Sequence, residues 1–296
     1  MVLKNLFLII IAIIIMVNPG FAQYDDDDGG SEDLVSYLSL GWSWGGWEGA
    51  RPFIEAGYGL NYLTHQDMTR DFYVGGMLEG KIGYSLIDSF SRGIVSLHDQ
   101  YIVGSYSEQD YNTVITQDET NLINEKLTRF GFGVRHGYGY NLAILKIIPY
   151  TQHSMQWYKM QSVRPYDISS PDSALLDRFE DSYRFGLSNE AALKIRLFRS
   201  IDATASYEYS VIYPRVVFFQ WFVSYTVLYI GEGIVSKFAR DIVHNSPLLG
   251  PILYFALTNG VTWAYTYALK NDMNWPFKSE APMINNVAKL SISISF

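Results

Sequence analysis

The chain has 296 residues, of which 48% are hydrophobic, 16% aromatic and 18% charged, with a formal net charge of −8 and no cysteine. Charge is scarcer than the roughly 25% usual in soluble domains, and tyrosine alone supplies 23 residues. Without cysteine there is no disulfide scaffold, thiolate metal site, cysteine nucleophile or lipoprotein cysteine; the acidic balance argues against nucleic acid as a partner.

Residues 1–22 have the form of a secretory signal peptide. Lys4 gives the positive start, Leu6–Val17 is an unbroken apolar run, and Gly20-Phe21-Ala22 puts small residues at the cleavage positions, so cleavage is expected after Ala22. The run is short for a hydrocarbon layer of roughly 30 Å, and Asn18-Pro19-Gly20 ends it with helix breakers. The product is therefore expected to be exported. Residues 23–33 contain Asp25–Asp28 but lack the glycine register of a calcium loop, and are expected to form a solvated, disordered acidic linker.

From residue 34 onward the dominant period is two. Candidate strands are 34–44, 49–60, 72–85, 93–106, 129–140 and 145–157. In 72–85, Phe72, Val74, Leu78, Ile82 and Tyr84 oppose Glu79, Lys81 and Ser85; in 129–140, Phe130, Phe132, Val134, Tyr138 and Tyr140 alternate with Arg129, Arg135 and glycines. The clearest hairpin is 183–213. Phe185, Leu187, Ala191, Leu193 and Ile195 oppose Arg184, Ser188, Glu190, Lys194 and Arg196, and after Arg199-Ser200 the faces resume with Ala203, Ala205, Tyr207 and Tyr209 against Asp202, Thr204, Ser206 and Glu208. These runs exceed the 5–6 residues of an ordinary globular strand and match the about 9–11 that a tilted strand needs in hydrocarbon. Tyrosines, with Trp42, Trp44, Trp47, Trp157 and Tyr158 near strand ends, suit the interfacial belts of a membrane barrel.

Segment 214–286 breaks the pattern. Ile230, Ile234, Phe238 and Ile242 fall at helical spacing, Ser246-Pro247 offers a stop, and Ile252–Leu269 is a second apolar stretch, so a helical hairpin is expected. The alternative is a strand over 216–230, with Val217, Phe219, Trp221, Val223, Tyr225 and Val227 on one face; periodicity does not separate the two. Eight earlier candidates plus the terminal one make nine, and since bacterial barrels usually have an even number, the expectation is 8–12 strands, with ten favoured. His244-Asn245-Ser246 resembles the His/Ser pair of outer-membrane lipid A deacylases, in which histidine activates serine; here it falls at an expected helix end, where a dipole-favoured histidine is the plainer account. His65, His98, His136 and His153 lack metal-ligand spacing, and no cofactor is expected.

The last segment is the most telling. Ala288, Leu290, Ile292, Ile294 and Phe296 point one way, and Val287, Lys289, Ser291, Ser293 and Ser295 the other. A terminal strand ending in an aromatic resembles that of bacterial outer-membrane β-barrel proteins. The resemblance implies a closed antiparallel barrel in the outer membrane, with Phe296, Ile294 and Ile292 as the signal read by the barrel-assembly machinery and lipid around the wall. The polar faces put Arg51, Lys81, Arg129, Arg135, Lys146 and Lys289 in the lumen with Glu55, Glu79 and Asp99. They join Arg184, Glu190, Lys194, Arg196, Asp202 and Glu208, and mixed signs favour a paired, filling network. Arg196 is expected to face Asp202, and Glu208 to face Arg184, Glu190 or Lys194. Function is expected to be that of a non-enzymatic plugged barrel or interaction scaffold, with a protein partner on 214–286. The alternatives are a lipid-processing hydrolase using His244 and Ser246, or a small selective channel.

Overall fold

The computed structural model describes residues 49–91, 93–108, 122–142, 144–180, 182–198 and 200–296. The export signal 1–22, the acidic stretch 23–33, the candidate strand 34–44 and Trp42, Trp44 and Trp47 lie outside the described residues. Eight antiparallel strands form a closed barrel: β1 (Arg51–Thr64), β2 (Gly75–Ser91), β3 (Ile94–Glu108), β4 (Asn124–Leu142), β5 (Leu145–Val163), β6 (Arg184–Arg196), β7 (Ile201–Ile212) and β8 (Met283–Ser295). Lengths run from 12 residues in β7 to 19 in β4 and β5. Tight connections at 92–93, 143–144 and 197–200 define one end of the barrel; the long ones at 65–74, 109–123, 164–183 and 213–282 define the other.

The favoured count of ten is corrected to eight. β8 pairs with β7 from Ile212↔Met283 to Ile201↔Ile294 and with β1 along its other edge, which closes the ring. Segment 216–230 is not among the strands. Among the described residues the helices are a short α1 (Ser170–Leu176), α2 (Phe218–Asn245) and α3 (Gly250–Leu269). The runs Val216-Val217-Phe218-Phe219 and Phe222-Val223 would put apolar side chains on both faces of a strand, interrupting the polar face of Gln220, Ser224 and Thr226 with Val216, Phe218 and Phe222. A helix pairs its own backbone and tolerates apolar residues all round.

Side chains alternate across the wall as a pleated strand requires. Leu78, Ile102 and Leu290 point outward at 64%, 58% and 70% exposure, whereas Asp99 and Arg135 point inward at 0%. Tyr158 is corrected: it faces the lumen and is buried, while Trp157 faces outward and stacks on Phe130. Strand β4 carries glycine at alternate lumen-facing positions. A Cβ at Gly133 or Gly137 would collide with the backbone and side chains of β5, around Ser154 and Tyr150, so only glycine permits this close approach.

The lumen is filled in layers. At the loop end a roof of Leu63, Phe72, Ile123, Leu127, Leu176 and Phe179 closes over it. Asp172 in α1 ties that roof down by accepting hydrogen bonds from the Thr69 backbone and hydroxyl at 3.1 and 2.5 Å. Burial pushes the Asp172 carboxyl up, but these bonds and one from Ser169 hold it below the usual aspartate range. Towards the tight-turn end Val95, Leu97, Ile148, Tyr150 and Ala192 make an apolar floor. Below it opens a cleft of about 450 Å³ bordered by Arg51, Lys146 and Arg196.

Candidate functional site

Between roof and floor lies an ionic layer. Arg135 donates to both carboxylate oxygens of Glu55, at 2.8 and 2.6 Å, and stands over the rings of Tyr101 and Tyr150. Lys194 holds Asp99 at 2.8 Å. Lys289 is 2.7 Å from each of three carboxylates, those of Glu79, Glu190 and Glu208. Arg129 pairs with Glu79 at 2.6 Å and also with Glu208, while Lys81 reaches Glu79 at 3.0 Å and Glu190 at 3.4 Å. Five cations (Lys81, Arg129, Arg135, Lys194, Lys289) thus meet five anions (Glu55, Glu79, Asp99, Glu190, Glu208), and all ten are buried. Neutral balance and multiple partners are what buried charge requires.

Of the residues expected to face Glu208, Glu190 does so, while Arg184 and Lys194 do not. Glu190 and Glu208 lie directly opposite one another in register, and facing like charges repel. Glu208 is served instead by Arg129 and Lys289, and accepts from Ser188 and Ser210. Arg184 stays out of this layer. It borders a cleft at the loop end with Arg178, Arg215 and Glu280. Arg196 sits nearer the tight-turn end, donating to both oxygens of Asp202 at 2.6 and 2.8 Å. Asp202→Lys should destabilise the barrel, and adding Arg196→Glu should restore part of the loss. A double-mutant cycle in urea is expected to show a coupling of about 1–3 kcal/mol; simple additivity would mean that the bond contributes nothing.

The outer wall holds a second polar array that spacing along the chain does not disclose. On the outer face, His98 of β3 is in register with His136 of β4, and His136 with Thr151 of β5; one rung away His153 of β5 faces Asn189 of β6. The two imidazoles of His98 and His136 meet through their Nδ1 atoms at 3.2 Å, and His153 Nδ1 lies 2.8 Å from Asn189 Oδ1. The helices α2 and α3 cover this stripe. Thr258 Oγ1 is 3.0 Å from Thr151 Oγ1, and Asn259 donates to the same hydroxyl at 2.7 Å. Glu232 of α2 sits 3.7 Å from His153 Nε2 and accepts from Thr262 at 2.5 Å. The signal for the stripe was a set of gaps in the apolar rows: His136 between Val134 and Tyr138, and Asn189 between Leu187 and Ala191. Among the described residues no cluster has the makings of a metal site.

His244 and Ser246 are not joined by a hydrogen bond among the described residues. The His244 ring stands edge-on to Phe90, 6.2 Å between centroids, and Ser246 caps α2 by donating its backbone N–H to Ile242. Away from the stripe the outer wall remains apolar to its end, with Ile292, Ile294 and Phe296 all exposed. A closed ring, apolar outside and charged inside, inverts the pattern of a soluble barrel.

The fold is a closed, eight-stranded antiparallel β-barrel. Neisserial surface protein A is similar, with a TM-score of 0.38 and 10% identity over 83% of this chain and 97% of that one. Ail, the attachment invasion locus protein of Yersinia pestis, is also similar, with a TM-score of 0.30 and 9% identity over 83% of this chain and 99% of that one. No family model and no curated protein matches the chain.

Proposed function

We propose that the protein is a non-enzymatic barrel of the outer membrane that conducts nothing and acts as a plugged scaffold, with segment 214–286 as its interaction element. The observation that carries this reading is the lumen: a neutral layer of ten buried charges between an apolar roof and an apolar floor. A selective channel needs a continuous wetted path with unpaired polar lining, and here each charge in that layer is engaged by its neighbours. The plug is thus made of the barrel's own side chains. In planar bilayers the purified protein, checked as folded by its heat-dependent mobility, should give no current steps. Steady unitary currents that vanish on boiling would sink the reading. With no hydrogen bond joining His244 to Ser246 among the described residues, the hydrolase alternative is not the reading favoured, and cell lipids with and without the gene should have the same acyl composition.

Insertion on this reading goes through the barrel-assembly machinery. Phe296 ends the outward row on β8, and its backbone N–H is bonded to the Pro52 carbonyl of β1, at the seam. Phe296→Asp puts a charge at the end of that row, where charge on the lipid face is unfavourable. Export should continue while the amount of assembled barrel falls. Unchanged outer-membrane levels, measured by fractionation, would remove Phe296 from the signal.

A further inference from the structure

The two helices run along the outside of the barrel for its whole height. At the loop end Leu228 of α2 and Tyr265 and Leu269 of α3 pack on Leu187, Val211 and Ile284. At the tight-turn end Ala239, Val243 and Tyr254 pack on Ile94, and Tyr140 Oη donates to the Leu248 carbonyl in the turn between the helices at 2.6 Å. The 28 residues of α2 and 20 of α3 correspond to about 42 and 30 Å at 1.5 Å per residue, against a hydrocarbon thickness of about 30 Å.

Each helix has two chemically different sides. Polar groups turn inward: Ser224 bonds Tyr265 between the helices, Thr262 bonds Glu232, and Thr258 and Asn259 bond the wall at Thr151. The side facing away from the barrel is largely apolar, with Phe219, Ile230, Ile234 and Phe238 exposed on α2 and Ile252 and Trp263 on α3, and the exposed charges Lys237 and Asp241 fall within the last nine residues of α2, at the tight-turn end. Helix α3 carries no charged residue, and Glu232 is the only charge in the first nineteen residues of α2. This outer side continues the apolar belt formed by Ile82, Ile102 and Ile292 on the strands.

We propose that 218–269 is a membrane-spanning helical hairpin docked on the barrel wall, and that the partner of its outer side is the acyl-chain region of the bilayer. The inference rests on the outer-membrane reading and names what segment 214–286 meets. Among the described residues no helix is by itself long and apolar enough to cross a membrane, and the two-sided arrangement explains how these two cross together. Ser224, Glu232, Thr258, Asn259, Thr262 and Tyr265 thus bond the wall or one another, as polar groups turned away from water require. The wall likewise depends on the helices, because Thr151 and His153 point out of the barrel and find partners on α2 and α3.

The chain has no cysteine, so single cysteines can carry a fluorophore without interference. Ile234→Cys and Ile252→Cys label the hairpin, and Ile292→Cys labels the bare wall; each protein is first checked for heat-dependent mobility in phosphatidylcholine vesicles. Doxyl groups on the acyl chains should quench all three labels to a similar extent, and aqueous iodide should quench none of them strongly. Quenching of Ile292→Cys by doxyl, with the hairpin labels reached only by iodide, would overturn the spanning hairpin and leave the barrel reading intact. Hairpin labels shielded from both quenchers would place a second copy of the chain on this face, which also overturns it. An Ile292→Cys label untouched by doxyl would overturn the membrane placement itself.

Discussion

Replacing Arg129 with methionine should produce the largest loss of stability of any single substitution in the lumen. The change keeps length and apolar stem but removes the guanidinium shared by Glu79 and Glu208, leaving five buried anions against four cations. Removing one partner of a buried pair costs about 3–5 kcal/mol, because the remaining charge stays desolvated. The urea midpoint of the heat-modifiable form should fall accordingly. Adding Glu208→Gln restores neutrality, since Lys289 keeps Glu79 and Glu190, and should recover part of the loss. A single variant as stable as the parent would mean that water enters the lumen and screens it.

Deleting 216–272 should leave a barrel that still closes but is markedly weaker. The ladder between β7 and β8 runs from Ile212↔Met283 downward and owes nothing to the helices. The cost falls on the outer wall, where Thr151 and His153 lose their partners on α2 and α3 and the polar stripe of His98, His136 and Asn189 beside them is left with wall partners alone. A polar group left unsatisfied in apolar surroundings costs about 1–3 kcal/mol, so several together reach the scale of a whole domain's stability. Replacing those three histidines and Asn189 with leucine in the shortened chain should therefore raise its urea midpoint. A shortened barrel as stable as the full chain would show that the helices contribute nothing to the wall.

Much of this arrangement was legible in the sequence, and the rest was not for definite reasons. Strand length and period two are local properties, so the 183–213 hairpin could be assigned face by face, and Arg196 placed opposite Asp202. Pairing across the barrel is not local. Lys289 meets Glu79 from 210 positions away, and Glu208 finds Arg129 rather than its hairpin neighbours because Glu190 occupies the rung opposite. The count of strands went astray by two, through the candidate 34–44, which lies outside the described residues, and a tenth strand added for parity. The outer-wall stripe was visible only as interruptions, at His136 and Asn189, in rows that otherwise define a lipid face. What covers an interruption depends on the docking of two helices that lie later in the chain, and a single strand carries no record of it.

The position of those helices between β7 and β8 has a consequence for the order of assembly. Strands β3 to β6 carry the polar stripe and are complete before α2 begins. An intermediate with seven strands laid down and the helices still undocked holds that stripe bare, so it is a poor resting state. Docking α2 and α3 relieves it, and the same movement brings Met283 to Ile212 and starts the ladder along which β8 runs to meet β1. Covering the wall and sealing the ring are joined by the chain itself.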